Sequence, residues 1–314
     1  MEPTGSTEST RPLHRVLTTW RTRTRMLELG RRTLIMGVVN ITPDSFSDGG
    51  LYLDVERAIE HALQLLDEGA DILDLGAEST RPGSRAGKDP AVSAEDELAR
   101  LLPVLEAILK ARPDTVISVD TYKSVTARAA VAAGAEIVND VSGFLWDPEM
   151  TAACAELGCG VVLMHTRGTP EEWRTQARLE GAAVLPLVQN GLAATLESAQ
   201  AAGIAAEAIV LDPGYGFGKR LGENYALLAR QAELLVLGRP LLVGLSRKSF
   251  LGHPMASLYG APGQIPAGSR ETASVAALTA GILLGASIVR VHLVRPAVEA
   301  ARVADAIYAA WRPI

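Results

Sequence analysis

From residue 33 onward, two hydrophobic patterns alternate along the chain. Short runs rich in Val, Ile and Leu, typical of buried strands, are each followed by a longer Ala- and Leu-rich segment whose apolar residues recur at helical spacing. The short runs predict eight strands, at residues 33–40, 70–77, 115–121, 136–141, 160–166, 208–214, 240–246 and 287–293. The longer segments predict eight helices, near residues 55–68, 93–112, 123–133, 148–157, 182–202, 224–237, 271–284 and 295–311.

Eight strands alternating with eight helices indicate a parallel α/β fold, and a single-domain (β/α)8 TIM barrel is the architecture we predict. An open doubly wound sheet is the alternative, but a glycine-rich dinucleotide turn would be expected after its first strand. Here the first strand runs into Asn40, Ile41, Thr42 and Pro43. Three helix-to-strand junctions carry a Gly-Ala pair, at Gly69, Gly134 and Gly285, where glycine can take the left-handed conformation that ends a helix.

The N-terminal segment interrupts this pattern. Residues 1–32 are rich in Ser, Thr and Arg and contain little apolar material to bury, so we expect a poorly ordered extension before a barrel formed by residues 33–314. The segment lacks the apolar centre of a secretory signal. A targeting or partner-binding role is the alternative.

Composition narrows the range of functions. The 314 residues are 48% hydrophobic with a net charge of -6, so no general attraction to nucleic acid or to an anionic membrane is expected. No apolar run reaches the ~20 residues of a membrane span. Cys154 and Cys159 are expected to be core thiols in a reducing cytosol, and we predict a cytoplasmic protein.

Polar residues stand at the C-terminal end of every predicted strand, where barrels of this kind build their active sites. Asp120, Asn139 and Asp212 follow apolar strand residues. Because Asp accepts hydrogen bonds and Asn both accepts and donates, these three suit a flat heterocycle with several N–H groups. A helix cap or loop acceptor is the structural alternative for any one of them.

A second group of strand-end residues is basic. Arg290 and His292 alternate with two valines and should therefore share one face, toward the barrel mouth. With Lys248 they predict a positive cluster that binds phosphate or pyrophosphate, in a chain that is negative overall. Asn40 and the turn after it could hold Mg2+ against that phosphate, because hard oxygen ligands suit magnesium.

Eight segments together resemble dihydropteroate synthase, the sulfonamide-targeted family of folate biosynthesis, in the same order over about residues 33–310. Those that carry the resemblance are residues 36–50 (MGVVNITPDSFSDGG), 76–83 (GAESTRPG), 118–121 (SVDT), 139–140 (ND), 163–165 (LMH), 211–219 (LDPGYGFGK) and 244–249 (GLSRKS), with 290–292 (RVH) closing the series. The resemblance implies a transferase that joins 6-hydroxymethyl-7,8-dihydropterin pyrophosphate to p-aminobenzoate, uses Mg2+ and forms a homodimer.

The resemblance also implies a role for each matching residue. The pterin would be held by Asp120, Asn139, Asp212 and Lys248; the pyrophosphate by Asn40, Thr80, Arg290 and His292; p-aminobenzoate by Thr80, Arg81, Pro82, Phe46, Phe217 and Ser246; and the metal by Asn40. Asp48, Lys248, Arg290 and His292 would be the catalytic residues. The loops that carry Phe46 and Asp48, and Thr80 to Pro82, would close over the site.

The chain departs from the family pattern at three places. Ala77 replaces a second glycine, Leu293 replaces an Asp that could support His292, and the loop at residues 83–90 is longer than in short relatives. Two other functions are alternatives. A methyltetrahydrofolate:corrinoid methyltransferase domain would not need the basic residues, and a non-catalytic pterin-binding paralogue is favoured only by Leu293.

Overall fold

The protein is described by a computed structural model that covers residues 15, 17–42, 50–81, 83–88, 91–259 and 265–310, with no side-chain description for residues 50–54, 256 and 259. Three residues with expected roles, Phe46, Asp48 and Pro82, lie outside the described residues.

Eight parallel strands close into a barrel, which confirms the predicted TIM-barrel fold. The strands are β3 (Leu34–Asn40), β4 (Ile72–Gly76), β5 (Val116–Asp120), β6 (Ile137–Asp140), β7 (Gly160–Met164), β8 (Ile209–Asp212), β9 (Leu241–Val243) and β10 (Ala286–Val291). Their order around the barrel is β10-β3-β4-β5-β6-β7-β8-β9. Every predicted strand is present, and most are one to four residues shorter than predicted.

Helices cover the outside of the barrel. They are α1 (Gly50–Asp67), α2 (Ala94–Ala111), α3 (Ser124–Ala132), α4 (Met150–Leu157), α5 (Gly181–Ala201), α6 (Leu221–Ala229), α7 (Ala256–Tyr259), α8 (Glu271–Leu283) and α9 (Val294–Ala310). The predicted helix at 224–237 ends earlier, because residues Gln231–Leu237 form a 3-10 segment whose buried Gln231 amide donates to the carbonyls of Gly281 and Leu284. Within the described ranges, no helix combines the length and apolarity that a membrane span requires.

The three Gly-Ala junctions adopt the predicted geometry. Gly69, Gly134 and Gly285 have φ values of +106°, +115° and +99°, in the left-handed region that favours glycine. At Gly134 a Cβ would also lie only 2.6 Å from Leu109 Cδ1. These junctions end helices and return the chain to the next buried strand.

The expectation of a poorly ordered segment up to residue 32 is wrong for residues 17–32. Strands β1 (Thr18–Arg21) and β2 (Met26–Leu29) form an antiparallel hairpin against the N-terminal end of the barrel. Trp20 is completely buried there, and its indole N–H donates to the carbonyl of Ala208 at 2.9 Å. Buried Trp20 and Leu29, together with side-chain bonds such as that from Thr22 Oγ1 to Glu136 at 2.7 Å, thus fix a segment that is rich in polar residues.

Apolar side chains fill two regions, one between the strands and helices and one inside the barrel. The inner region, which we call the floor, consists of Trp20, Leu29, Leu34, Met36, Ile72, Val116, Ile137, Val162, Val210, Leu242 and Ile288. The barrel residues of the floor come one from each strand, with a second from β3, so the lumen is closed beneath the site by packed side chains and by the hairpin.

Candidate functional site

The polar residues begin one layer above the floor. Because strand side chains alternate between faces, the residue two positions after each floor residue also points into the barrel. On five strands that residue is polar: Asp74, Ser118, Asn139, Asp212 and Arg290. The next inward positions bring Asn40, Asp120, Ser246 and His292. The predicted strand-end residues therefore meet at the mouth.

Arg290 lies at the centre of this group. Its Nε donates to Asp74 Oδ2 at 2.5 Å and its Nη2 donates to Asp120 Oδ2 at 2.7 Å. The predicted phosphate-binding residue and the predicted ring-binding carboxylate are therefore in direct contact. Burial raises the pKa of Asp120 to about 7, while the charge of Arg290 opposes that rise.

Asp74 completes a chain of polar contacts that the sequence reasoning did not assign. Its side chain is 0% exposed, and its Oδ2 also accepts a hydrogen bond from Asn139 Nδ2 at 3.1 Å. A carboxylate at an inward position of an otherwise apolar strand, two residues beyond Ile72, was the available signal. The sequence shows Asp74 as a polar residue of the second predicted strand, but gives no sign of its contacts with Arg290 and Asn139.

Asp212 is fixed at the end of β8 by the chain that follows it. Its Oδ1 accepts from the Gly214 N–H at 2.7 Å, and burial raises its pKa. Gly214 has φ +67°, and a Cβ there would lie 2.0 Å from the carbonyl oxygen of His165. Only glycine permits this approach, which places Asp212 and the loop after β8 against β7.

A buried lysine holds that loop together. Lys219 Nζ donates to the carbonyls of His165, Gly214 and Phe217, at 3.1, 2.8 and 3.3 Å. Burial lowers its pKa to about 7. Its bonds to three carbonyls give it a structural role at the edge of the site.

Lys248 and Phe217, which are both predicted site residues, are in contact. Lys248 Nζ lies 4.1 Å from the centre of the Phe217 ring, whose edge contacts Trp173 with centroids 4.8 Å apart. Burial lowers the pKa of Lys248 to about 8, partly offset by Asp212. An ammonium group over an aromatic face thus stands next to the carboxylate of β8.

His292 does not carry the positive charge that the sequence led us to expect. Burial, followed by the charge of Arg290, lowers the pKa of His292 to about 3, so the imidazole is neutral at pH 7. Its Nδ1 lies 3.0 Å from Ser246 Oγ, which also accepts from the His292 backbone N–H at 3.3 Å. In the tautomer in which Ser246 donates to Nδ1, the Nε2–H is available to an anion. The prediction of three cations is therefore corrected to two, Lys248 and Arg290.

Two departures from the family pattern have a structural explanation. Leu293 is 37% exposed and is not needed to support His292, because Ser246 provides the hydrogen-bond partner. Ala77 is fully buried in the outer core, where its methyl group is accommodated. The close approach at this turn falls on Gly76, where a Cβ would lie 3.4 Å from Asp120 Cβ.

The loop after β4 is tied to its neighbours at both ends. Lys123 pairs with Glu78 and, at 2.8 Å, with the buried Glu97. Further along, the Gly83 N–H donates to the Pro170 carbonyl at 3.1 Å, and the Gly87 Cα packs so closely on Trp146 that a Cβ would lie 2.8 Å from its ring. The described part of the longer loop is therefore docked on the loops after β6 and β7.

The turn after β9 is held by the start of α8. Arg247 has φ +59°, a conformation that non-glycine residues rarely adopt. Its N–H donates to Ser274 Oγ at 2.9 Å, its carbonyl accepts from Arg270 at 2.9 Å, and its Nε pairs with Glu271 at 2.6 Å. These contacts position the residues on either side, Ser246 and Lys248.

The structure thus brings together most of the predicted residues, with clear exceptions. Asp120, Asn139, Asp212, Ser246, Lys248, Arg290, His292 and Phe217 are linked by contacts or share the mouth. Asn40 is half-buried at the end of β3, Thr80 is half-buried and Arg81 is exposed, with its charge contributing to the lowered pKa of His292. Among the described residues, no group of three or more His, Cys, Asp or Glu side chains could hold a metal ion.

Comparisons with known proteins agree with this geometry. Residues 36–292 match the family described as pterin binding enzyme. Escherichia coli dihydropteroate synthase is 42% identical over 276 residues, covering 88% of this chain and 92% of the relative. A solved structure of Xanthomonas albilineans dihydropteroate synthase with 4-aminobenzoic acid has a TM-score of 0.81 at 40% identity, covering 94% of this chain and 99% of that one.

A plant relative extends beyond the match. The mitochondrial folate synthesis bifunctional protein of Pisum sativum is 40% identical over 90% of this chain, and the chain spans about half (55%) of that relative's length. The match of residues 36–292 covers most of this chain, and the fold, the polar mouth and the relatives agree. The chain belongs to the pterin-binding enzyme family.

Proposed function

We propose that this chain is a transferase with dihydropteroate synthase activity. It joins 6-hydroxymethyl-7,8-dihydropterin pyrophosphate to p-aminobenzoate, giving 7,8-dihydropteroate and pyrophosphate. One observation carries the proposal: hydrogen-bond acceptors and cations are in contact at the barrel mouth, above the floor. Arg290 Nη2 donates to Asp120 Oδ2 there at 2.7 Å. A ring with several N–H groups and an attached anionic leaving group requires both kinds of residue side by side.

The pterin binds lowest in the mouth, against Asp120, Asn139, Asp212 and Lys248. The carboxylates accept from ring N–H groups, and Lys248 donates to the ring carbonyl. Burial that raises the pKa values of Asp120 and Asp212 also strengthens hydrogen bonds to them, since water competes less there. When the pterin binds, a ring N–H replaces part of the hydrogen bonding that Arg290 gives Asp120 in the ligand-free protein.

The pyrophosphate binds at the rim, to Asn40, Thr80, Arg290 and His292. The Arg290 guanidinium is a fork of donors that matches phosphate oxygens. His292, neutral in the ligand-free protein, donates from Nε2 and gains a proton more easily once the anion is bound. Support for this comes from the short distance of His292 Nδ1 to Ser246, which fixes the ring.

p-Aminobenzoate binds above the pterin, among Thr80, Arg81, Phe46, Pro82, Phe217 and Ser246. Phe217 offers an aromatic wall that is braced by Trp173. Arg81 is an exposed cation in the loop after β4 and suits the carboxylate of p-aminobenzoate. Phe46 and Pro82 lie outside the described residues, so their place in the site rests on the sequence resemblance alone.

The residues present suit Mg2+ only if the substrate pyrophosphate supplies further oxygen ligands. Asn40 supplies one hard oxygen at the end of β3, and the loop that follows, beyond the described residues, carries the carboxylates of Asp44 and Asp48. Mg2+ commonly takes one or two protein ligands and completes its shell with phosphate oxygens and water. When bound, the ion would neutralise part of the pyrophosphate charge.

The protein promotes the reaction by position and charge. The bond from the pterin methylene carbon to the pyrophosphate oxygen breaks, and the leaving group takes the electron pair toward Arg290 and His292. The aniline nitrogen of p-aminobenzoate then forms the C–N bond to that methylene carbon and loses a proton. The ring contacts of Asp120, Asn139 and Asp212 stabilise the pterin cation, and the loops that carry Asp48 and Arg81 exclude water.

A turnover assay tests the proposal. The full chain is incubated with the pterin pyrophosphate, labelled p-aminobenzoate and Mg2+, and dihydropteroate formation is followed. We expect turnover by the native chain and a sharp loss of pterin affinity in Asp120→Asn. The absence of product at high enzyme concentration would contradict the synthase activity.

Two further properties belong to the proposal. We expect a homodimer in solution, through barrel helices, which sedimentation of the full chain would measure. A cytoplasmic location also stays a prediction, which fractionation of the source cells would test.

A further inference from the structure

One buried carboxylate has no part in the binding roles above. Asp74 is the third residue of β4, points into the barrel one layer above the floor, and is 0% exposed. Its Oδ1 has no hydrogen-bond partner among the described residues. Burying an ionised carboxylate costs free energy unless it is paired, so its position needs a compensating interaction.

The compensating hydrogen bonds come from residues on two other strands, one on each side of β4. Its Oδ2 accepts from Arg290 Nε at 2.5 Å and from Asn139 Nδ2 at 3.1 Å. In the barrel order, Arg290 on β10 stands two strands to one side of β4 and Asn139 on β6 two strands to the other. A single oxygen therefore joins the proposed pyrophosphate-binding residue to the proposed pterin-binding amide.

The contact fixes which end of the Asn139 amide faces the pterin. An ionised carboxylate only accepts hydrogen bonds, so Asn139 must present its NH2 group to Asp74. Its oxygen is then left to accept from a ring N–H. Without Asp74 the amide could rotate by half a turn and offer a donor where an acceptor is needed.

The contact also fixes the Arg290 fork. With Nε on Asp74 and Nη2 on Asp120, the guanidinium plane is held from two points. A planar group held in this way loses less entropy when it binds an anion than a free side chain does.

We propose that Asp74 is a positioning residue that orients the acceptor of Asn139 and the guanidinium of Arg290 at the same time, so that pterin and pyrophosphate binding both depend on it. The proposal rests on the proposed function for the identity of the two ligands. Asp74 acts through its neighbours and is not itself a group that contacts substrate.

The test compares Asp74→Asn with Ser118→Ala in the full chain. Ser118 is the register partner of Asp74 on β5, is equally buried, and its hydroxyl has no hydrogen-bond partner among the described residues, so its removal is a matched control. Two probes are used separately, 6-hydroxymethylpterin for the ring pocket and inorganic pyrophosphate for the anion group. Thermal unfolding is recorded for both variants.

We expect Asp74→Asn to weaken both probes by at least about tenfold, a common effect of losing a residue that orients a binding group. Ser118→Ala should leave both dissociation constants within about twofold, because its hydroxyl has no hydrogen-bond partner in the described part of the chain. A folded Asp74→Asn protein that binds both probes like the native chain, with only its melting temperature lowered, would overturn the proposal.

A second pair of variants covers the case in which Asp74→Asn does not fold. Asn139→Asp alone sets two carboxylates against each other, and adding Asp74→Asn restores a donor and an acceptor in reversed order. The double variant should bind 6-hydroxymethylpterin more tightly than Asn139→Asp alone. No recovery would overturn the role of Asp74.

The outcomes separate this role from the proposed function. Turnover by the native chain tests the synthase activity, whereas the ratios of dissociation constants between variants test Asp74. A native chain that binds both probes without turnover would contradict only the activity. One that binds neither probe would contradict both.

Discussion

At the scale of single residues, burial sets the charge of the site. The ammonium of Lys248 and the imidazole of His292 both have lowered pKa values, and in each case burial is the largest cause. The free enzyme therefore enters the reaction with a neutral histidine and with a lysine that loses its proton near pH 8. Residue types in the sequence indicated basic groups but could not indicate these charge states, which depend on packing.

The lysine should limit activity in alkaline solution. As pH rises through about 8, Lys248 loses the proton with which it donates to the pterin, so kcat/KM should fall. Lys248→Arg keeps its charge and should move the alkaline limb to higher pH, even if its maximum is lower. Lys110→Arg, on the exposed side of α2, is the control. An alkaline limb at the same pH in Lys248→Arg would refute the assignment.

At the scale of elements, the loop after β4 is a docked segment and not a free flap over its described length. Its Gly87 has φ +76° and contacts the Trp146 ring, while Ala86 beside it is buried. The sequence showed that the loop at residues 83–90 is longer than in short relatives. It could not show the docking, because the partners are distant along the chain: Trp146 lies 59 residues beyond Gly87, and Pro170 lies 87 residues beyond Gly83.

Disturbing that docking should affect p-aminobenzoate more than pterin. In Gly87→Ala the new methyl group would lie 2.8 Å from Trp146, on a backbone that disfavours side chains. A left-handed backbone costs about 1–2 kcal/mol per residue, so we expect the KM for p-aminobenzoate to rise roughly fivefold or more. The dissociation constant of 6-hydroxymethylpterin should stay nearly constant.

Gly158→Ala is the matched control for that experiment. Gly158 has φ +62° at the end of α4, but a Cβ there meets nothing within 4 Å. Gly158→Ala therefore has a left-handed backbone strain like that of Gly87→Ala, but no close contact with a neighbouring side chain. Equal KM values for p-aminobenzoate in the Gly87 variant and the native chain would show that the docking has no part in binding.

At the scale of the whole molecule, the sequence pattern predicted the barrel but not the hairpin that closes its N-terminal end. Eight alternations of strand and helix patterns identified the fold, and strand-end residues identified most of the mouth. The hairpin was missed because its strands have four residues each and only Trp20 and Leu29 among them are fully buried. Asp74 was within reach of period-two reasoning, since Ile72, Asp74 and Gly76 share one face of β4.

Trp20 should be important for stability and unimportant for substrate affinity. Trp20→Ala removes a completely buried aromatic side chain and should lower the free energy of unfolding by about 3–5 kcal/mol. Trp20→Phe keeps most of the bulk but loses the bond to Ala208, at a smaller cost of about 1 kcal/mol. Denaturant unfolding measures both. A marked change in KM for either substrate would show that the floor and the mouth are not independent.

The position of the hairpin determines where an attached domain would stand. Arg15, just before the hairpin, pairs with Asp305 near the end of α9 and donates to the carbonyl of Ala286 at the start of β10. Both partners lie at the end of the barrel opposite the mouth. A domain or affinity tag joined directly to residue 15 would therefore emerge behind the enzyme, leaving the route of both substrates into the barrel open.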